Sequence, residues 1–160
     1  MVEPEDGRIY SATIDHLNSI FEIEKRCFPG ETSYSKRLLS YLISTSSRSS
    51  YVECYGNVVR GFVIISYHKN SLTGHIETID VDPKYQRKGI GLKLLEVAEL
   101  DMKGRGMKWS QLEVSTGNVA ALELYRKLGY LGIEEIRNYY RFDHHGTRDA
   151  VIMVKSLGSN

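Results

Sequence analysis

Residues 74–105 leave this chain few ways to fold, because an alternating strand, a proline turn, a basic glycine loop and an amphipathic helix follow one another without a break. His75, Glu77, Ile79 and Val81 alternate with Ile76, Thr78, Asp80 and Asp82, which predicts a two-faced strand over 75–82 that Pro83 ends. Gln86, Arg87, Lys88, Gly89, Ile90 and Gly91 come next. Leu92, Leu94, Leu95, Val97, Ala98, Leu100 and Met102 then recur at helical spacing, up to a stop at Gly104, Arg105 and Gly106. The loop therefore sits at a helix N-terminus, where the first N–H groups lack partners and the helix dipole is positive. Gly89 and Gly91 have no Cβ to keep an oxygen-rich group away from the backbone, and Arg87 and Lys88 add full charge. Pyrophosphate is the anion this arrangement predicts, and a surface connection that is merely basic is the plainer reading of the same residues. The third glycine of the dinucleotide fingerprint is missing, and no Gly-Lys-Ser or Gly-Lys-Thr follows, so neither of the two common nucleotide loops is present.

Along the rest of the chain, residues 1–7 read as a loose tail and 8–12 as a short strand. Thr13 is the expected N-cap of an amphipathic helix carrying Ile14, Leu17, Ile20, Phe21 and Ile23 or Glu24, which Phe28, Pro29 and Gly30 end. A second helix is expected over 35–43. The loop between them, with Phe28, Glu31 and Tyr34, is a connector or the lining of a groove. Residues 45–50 read as a serine-rich flexible spacer. Residues 51–55 and 58–67 read as a hairpin about Gly56 and Asn57, leading into the strand at 75–82. The strand expected at 109–114 lies parallel to that one, since a helix crosses between them. Glu113 stands in it between Leu112 and Val114, either facing solvent or put to use. Asn118 resembles an N-cap and Gly129 a C′ glycine around a helix whose Tyr125 is core filler on the simplest view. The chain closes with a hairpin of 133–142 and 148–157, in which adjacent Tyr139 and Tyr140 would point to opposite faces of a strand.

Composition limits the function more than the fold. With 160 residues the chain suits one domain over 1–160 with one substantial core. A formal charge of +1 gives no global attraction to nucleic acid or to an anionic membrane, so the basic loop is a local feature. Cys27 and Cys54 lack metal-ligand spacing and read as buried small side chains in a reducing compartment, with no metal site expected. No stretch approaches the ~20 apolar residues of a membrane span, and a cytoplasmic protein is expected.

Three signatures in order carry a family resemblance: Asp-Pro-x-Tyr-Gln-Arg-x-Gly-Ile-Gly, then Leu-Glu-Val-x-x-x-Asn-x-x-Ala-x-x-Leu-Tyr-x-x-Leu-Gly-Tyr, then Asn-Tyr-Tyr with a late Asp149-Ala150. The chain resembles the GNAT superfamily of N-acetyltransferases, and within it the branch of bacterial ribosomal-protein alanine acetyltransferases and archaeal N-terminal acetyltransferases. The resemblance implies an α/β (α+β) fold: a twisted mixed sheet of about seven strands with about four helices, whose two central parallel strands splay around acetyl-CoA. It implies that the backbone of Ile79, Asp80 and Val81 pairs with the pantetheine arm. It also implies that Gln86, Arg87, Lys88, Gly89, Ile90 and Gly91 hold the pyrophosphate, that Leu92 begins the helix beneath it, and that Asn118 holds the cofactor from the next helix. In the same way Glu113 is implied as base, Tyr125 as acid and His75 as a helper in removing the amine proton, with Phe28, Pro29, Tyr139 and Tyr140 in a peptide groove. Relatives that prefer small first residues often carry a glutamate directly after the loop proline, whereas here Gly30 stands before Glu31.

The activity this implies is direct transfer of acetyl from acetyl-CoA to the α-amine of a protein or peptide, with no metal, nucleic acid or membrane involved. Acetylation of lysine or of a small amine is the alternative within enzymes, and a silent acyl-CoA-binding regulator the alternative outside them. Paired tyrosines and the Phe28-Pro29 loop favour a peptide, and the presence of Glu113 and Tyr125 speaks against a silent protein.

Overall fold

The computed structural model describes residues 6–158, the side chain of Glu31 excepted. Seven strands form one sheet in the order β1-β2-β3-β4-β5-β7-β6. They are β1 (Arg8–Ser11), β2 (Arg48–Tyr55), β3 (Val58–Tyr67), β4 (Thr73–Val81), β5 (Trp109–Ser115), β6 (Leu131–Ile136) and β7 (Ala150–Ser156). Only β4 and β5 run parallel, because α3 (Ile90–Gly104) crosses between them. Helices α1 (Leu17–Cys27) and α2 (Lys36–Ser44) cover one face, packing Ile20, Ile23, Leu39 and Leu42 on Val52, Phe62 and Ile64. Helices α3 and α4 (Val119–Lys127) cover the other, where Leu94, Leu95, Met102 and Leu122 meet Val63, Ile65, Ile76, Leu112 and Val114. Each fully buried aliphatic side chain in these layers contributes roughly 1.5–3 kcal/mol. Gly61 lets α3 approach the sheet, since a Cβ there would lie 2.9 Å from the Asp80 carbonyl oxygen and 3.2 Å from Ile90 Cγ2.

Three expectations change. The spacer over 45–50 gives up its second half to β2, because Arg48, Ser49 and Ser50 pair with Ser66, Ile65 and Ile64, and Arg48 Nε donates to Ser66 Oγ at 3.0 Å. Cross-strand pairing outweighs the poor strand propensity of serine. The strict alternation of β4 fails at Glu77, where Ile64 pairs with Thr78 and Ile65 with Ile76, leaving one residue extra. Ile76, Ile79 and Val81 consequently all pack against the α3 core, while Asp80 is turned toward α1. The last hairpin is shorter than its sequence suggests: β6 ends at Ile136, and Tyr139 and Tyr140 lie in an irregular loop after Asn138, whose φ is +54°. Of the expected tail 1–7, residues 1–5 lie outside the described residues, and the Asp6 carboxylate stands 3.6 Å from Lys93 Nζ. Among the described residues no helix is long and apolar enough to cross a membrane.

Candidate active site

Strands β4 and β5 pair only at Thr73–Trp109, Gly74–Ser110 and His75–Gln111, and then diverge. From Ile76 onward neither is hydrogen-bonded to the other, so the sheet opens at its centre. A cavity of ≈ 630 Å³ occupies the opening, lined from both strands by Glu77, Thr78, Asp80, Glu113 and Ser115 among others. Alternation along β5 directs Leu112 and Val114 into the α3 core and Glu113 to the opposite face. There His75 Nε2 and Glu113 Oε2 lie 2.6 Å apart, and Gln111 Nε2 donates to Glu113 Oε1 at 3.1 Å. Glu113 faces the cavity, while His75 stands behind it and does not line the wall. Burial pulls the His75 imidazole down, but the hydrogen bond and charge of Glu113, with the charge of Glu77, outweigh it and hold the ring above its ordinary value.

Tyr125 of α4 reaches the cavity from the other layer, its ring 5.8 Å from that of Tyr130. Burial, and secondarily the charge of Asp80, push its phenol up to about 12, so it keeps its proton across neutral pH. Asn118 also lines the cavity, and its Oδ1 already caps α4 by accepting from the Ala121 N–H at 3.2 Å.

The anion loop lies beyond the cavity, at the end of β4. Asp82 accepts from the Lys84 N–H at 3.1 Å and is gripped by Arg26 at 2.6 Å, and Gln86 Nε2 donates to the Val81 carbonyl at 3.1 Å. Arg87 (φ +64°) and Gly89 (φ +80°) curl the backbone into the first turn of α3. A Cβ built on Gly89 meets nothing within 4 Å, so the space over the helix N-terminus is open to a ligand. These residues suit a pyrophosphate, and the unpaired edge of β4 suits an amide-bearing arm running from there into the cavity. The helix begins at Ile90, two residues before the expected Leu92; Ile90 is buried beneath the loop, whereas Leu92 is partly exposed. Substituting Gly89 with Val is expected to weaken coenzyme A binding at least about tenfold, because a side chain would fill the cradle and strain a positive-φ position. Titration calorimetry on the folded variant checks it, and unchanged affinity would remove the loop from the site.

At the other end, an aromatic chain forms the rim. Phe28 lies 5.5 Å from His144, His144 stacks on Tyr140 at 3.9 Å, and Tyr140 meets Tyr139 edge-on at 5.0 Å. Both tyrosines thus line one cavity rather than opposite faces of a strand. Pro29 stays out of the wall, its carbonyl accepting from Thr32 Oγ1 at 3.2 Å, and the Glu31 side chain lies outside the described residues. The sequence did not single out His144, the side-chain role of Asp80, or Glu24. A readable signal existed for Glu24 alone: it lies on the same helical stripe as Ile20, Ile23 and Cys27, where a charge is costly. The Cys27 thiol is pushed up to about 12, by burial first and by Asp80 and Glu24 next, and does not line the cavity, so it is no nucleophile. Among the described residues no His, Cys, Asp and Glu cluster is arranged to hold a metal ion.

Known proteins resemble this chain in sequence and fold. The chain is 46% identical over 78 residues to the ribosomal protein bS18-alanine N-acetyltransferase of Escherichia coli, a stretch covering 48% of this chain and 51% of that one. It therefore spans about half the length of the curated relatives it matches at this level. It is 27% identical over 154 residues to the N-terminal acetyltransferase B complex catalytic subunit NAA20 of Arabidopsis thaliana, covering 94% of this chain and 79% of the relative. The crystal structure of the E. coli ribosomal-protein-S18-alanine N-acetyltransferase superposes with a TM-score of 0.85 at 27% identity, over 96% of both chains. Residues 17–130 match the acetyltransferase (GNAT) family, and the chain, with its split parallel strands and glycine loop, belongs to that family.

Proposed function

We propose that the protein is an acetyl-CoA-dependent N-terminal acetyltransferase of protein or peptide substrates. The observation that carries the reading is the single cavity between β4 and β5. It brings Glu113, Tyr125 and the aromatic rim of Phe28, Tyr139 and Tyr140 together at the end of an open strand edge that leads to an anion cradle. Acetyl-CoA supplies the activated acetyl group. Gln86, Arg87, Lys88, Gly89, Ile90 and Gly91 hold its pyrophosphate, and backbone groups of Ile79, Asp80 and Val81 hold the arm. The bacterial relative is named as an alanine N-acetyltransferase of a ribosomal protein and the plant relative as the catalytic subunit of an N-terminal acetyltransferase, which supports the substrate class.

An amine attacks only when neutral, and a free α-amine has a reference pKa of about 8, so at neutral pH a proton must leave first. Glu113 is the acceptor in the cavity, directly or through a water, and His75 orients it and balances its charge through the 2.6 Å contact. Tyr125 donates a hydrogen bond toward the departing sulfur. Its high pKa makes full proton transfer costly, so Tyr125→Phe is expected to lower kcat by about 10²-fold, the low end of general-acid effects, and to leave acetyl-CoA affinity in place. Steady-state kinetics with calorimetry checks this, and lost affinity with intact turnover would contradict it. The reading as a whole is tested by acetyl-CoA turnover on peptides varied in their first two residues, beside lysine peptides blocked at the α-amine and free small amines. Transfer to α-amines of peptides is expected, and transfer to lysine or small amines alone would overturn it.

A further inference from the structure

Glu24 of α1 and Asp80 of β4 both line the cavity, yet they are 2% and 4% exposed. Glu24 Oε1 accepts from the Tyr34 N–H at 3.2 Å, and Asp80 Oδ1 accepts from Thr78 Oγ1 at 3.1 Å. The remaining oxygens, Glu24 Oε2 and Asp80 Oδ2, have no donor from any other group among the described residues, and the two carboxyls meet each other. Two carboxylates cannot hydrogen-bond without a proton between them, and buried carboxyls in contact cannot both ionise cheaply. The other carboxylates of the cavity are differently placed: Glu77 accepts from Ser66 Oγ at 2.6 Å and lies 3.7 Å from Arg48, and Glu113 has His75.

We propose that Glu24 and Asp80 share one proton and, as a pair of net charge −1, select the acyl acceptor by charge, rejecting a peptide whose first residue is acidic and admitting neutral or cationic ones. This deepens the N-terminal acetyltransferase reading and rests on it. Burial first, then the hydrogen bond and charge of Glu24, hold Asp80 well above the carboxylate range, as a shared proton requires. Cys27 on α1, Tyr34 after it and Tyr125 on α4 are each held protonated, by burial foremost and then by carboxylates that include Asp80 or Glu24, with Asp82 and Glu77 adding the same sign. An amine close enough to Glu113 to react lies in the same ≈ 630 Å³ cavity as the pair, whose wall also carries Arg141, His144 and His145, and a carboxylate on its first side chain meets a like charge where it approaches the pair.

The full chain is assayed with acetyl-CoA and peptides identical except for Ala, Ser, Lys or Glu at the first position, and its carboxyl groups are followed by infrared spectroscopy. Wild type is expected to show a protonated carboxylic acid band at neutral pH and to prefer Ala over Glu by about tenfold or more in kcat/KM. Asp80→Asn loses the band and keeps the preference, because the Glu24 carboxylate retains the charge. The Glu24→Gln, Asp80→Asn double variant narrows the Ala-to-Glu ratio several-fold and moves the Lys peptide in the opposite direction. Absence of the band in wild type, equal use of Glu and Ala peptides by wild type, or an unchanged ratio in the folded double variant would each overturn the proposal. If the double variant does not fold, the wild-type band, its loss in Asp80→Asn and the wild-type ratio decide. If wild type acetylates small amines and no peptide, the N-terminal reading fails by itself. The pair is then judged by the band and by amines with and without an adjacent carboxylate.

Discussion

Replacing Glu113 with Gln is expected to lower turnover by about 10²–10⁴-fold, the range of a general base. The amide keeps the size of the side chain and its place between Leu112 and Val114, so the fold and the α3 core are untouched. His75→Ala should cost less, because His75 touches Glu113 and does not line the cavity. The double variant should lose little more than Glu113→Gln alone, because His75 acts through Glu113, with the residual rate depending on amine already deprotonated in solution and rising toward its own pKa of about 8. His75 is the positioning residue of the two, and its titration supplies a readout that a merely structural role would not move. Glu113→Gln should lower the imidazole pKa seen by NMR, since the hydrogen bond and charge that hold it up are gone. The stability effect has a definite sign. A raised histidine pKa contributes stability that is fully present below the unfolded value of about 6.5 and is lost as pH rises through the folded value. Glu113→Gln should therefore destabilise the protein in acid-to-neutral conditions more than in alkali. Wild-type turnover and pH profile in the double variant, with chemistry rate-limiting, would show that neither residue handles the proton.

Local physics made part of this site readable in the sequence. A strand ending at proline, followed by a basic glycine loop and an apolar helical repeat, fixes the direction of the chain and the place of unpaired N–H groups, and Gly89 adopts the positive φ that its residue type allows. The crossover rule then set β4 beside β5, and with it His75 beside Glu113. What escaped depends on partners distant in the chain. The bulge at Glu77 arises from the register with β3, and the strand's own alternation gives no sign of it. Tyr139 and Tyr140 left the strand because the segment after Ile136 turns to satisfy Asp149, whose Oδ1 accepts from the Asn138 N–H at 2.8 Å, and Arg148, whose carbonyl accepts from the Tyr140 N–H at 2.9 Å. Asp80 was readable as backbone alone. Its carboxyl acquires a role only because α1, fifty-odd residues earlier, turns Glu24 toward it.

Arg60→Met is expected to destabilise the protein by about 3–5 kcal/mol, a large part of a typical total of roughly 5–15 kcal/mol. Arg60 and Glu53 face each other across the β2–β3 hairpin, 2% and 0% exposed, with Nε to Oε1 at 2.8 Å and a second guanidinium nitrogen to Oε2 at 2.6 Å. Gly7 closes over the carboxylate, where a Cβ would lie 2.6 Å from its oxygens, so Glu53 cannot reach water when its partner is removed. The cost lies in that abandoned charge more than in the lost attraction. Glu53→Leu combined with Arg60→Met should therefore recover most of the stability, since an apolar pair of similar volume often equals a buried ion pair. The effect should extend to the anion loop. The Arg60 carbonyl accepts from the Asp82 N–H at 2.8 Å, and Asp82 caps the turn Pro83–Tyr85 that leads to Gln86, so Arg60→Met should also weaken coenzyme A binding while the double variant restores it. With a urea m value of about 1–3 kcal/mol/M, the unfolding midpoint of Arg60→Met should fall by about 1–5 M. A loss under about 1 kcal/mol, or a double variant no better than Arg60→Met, would show that the buried charge is solvated by some other route and that the hairpin does not hold the loop.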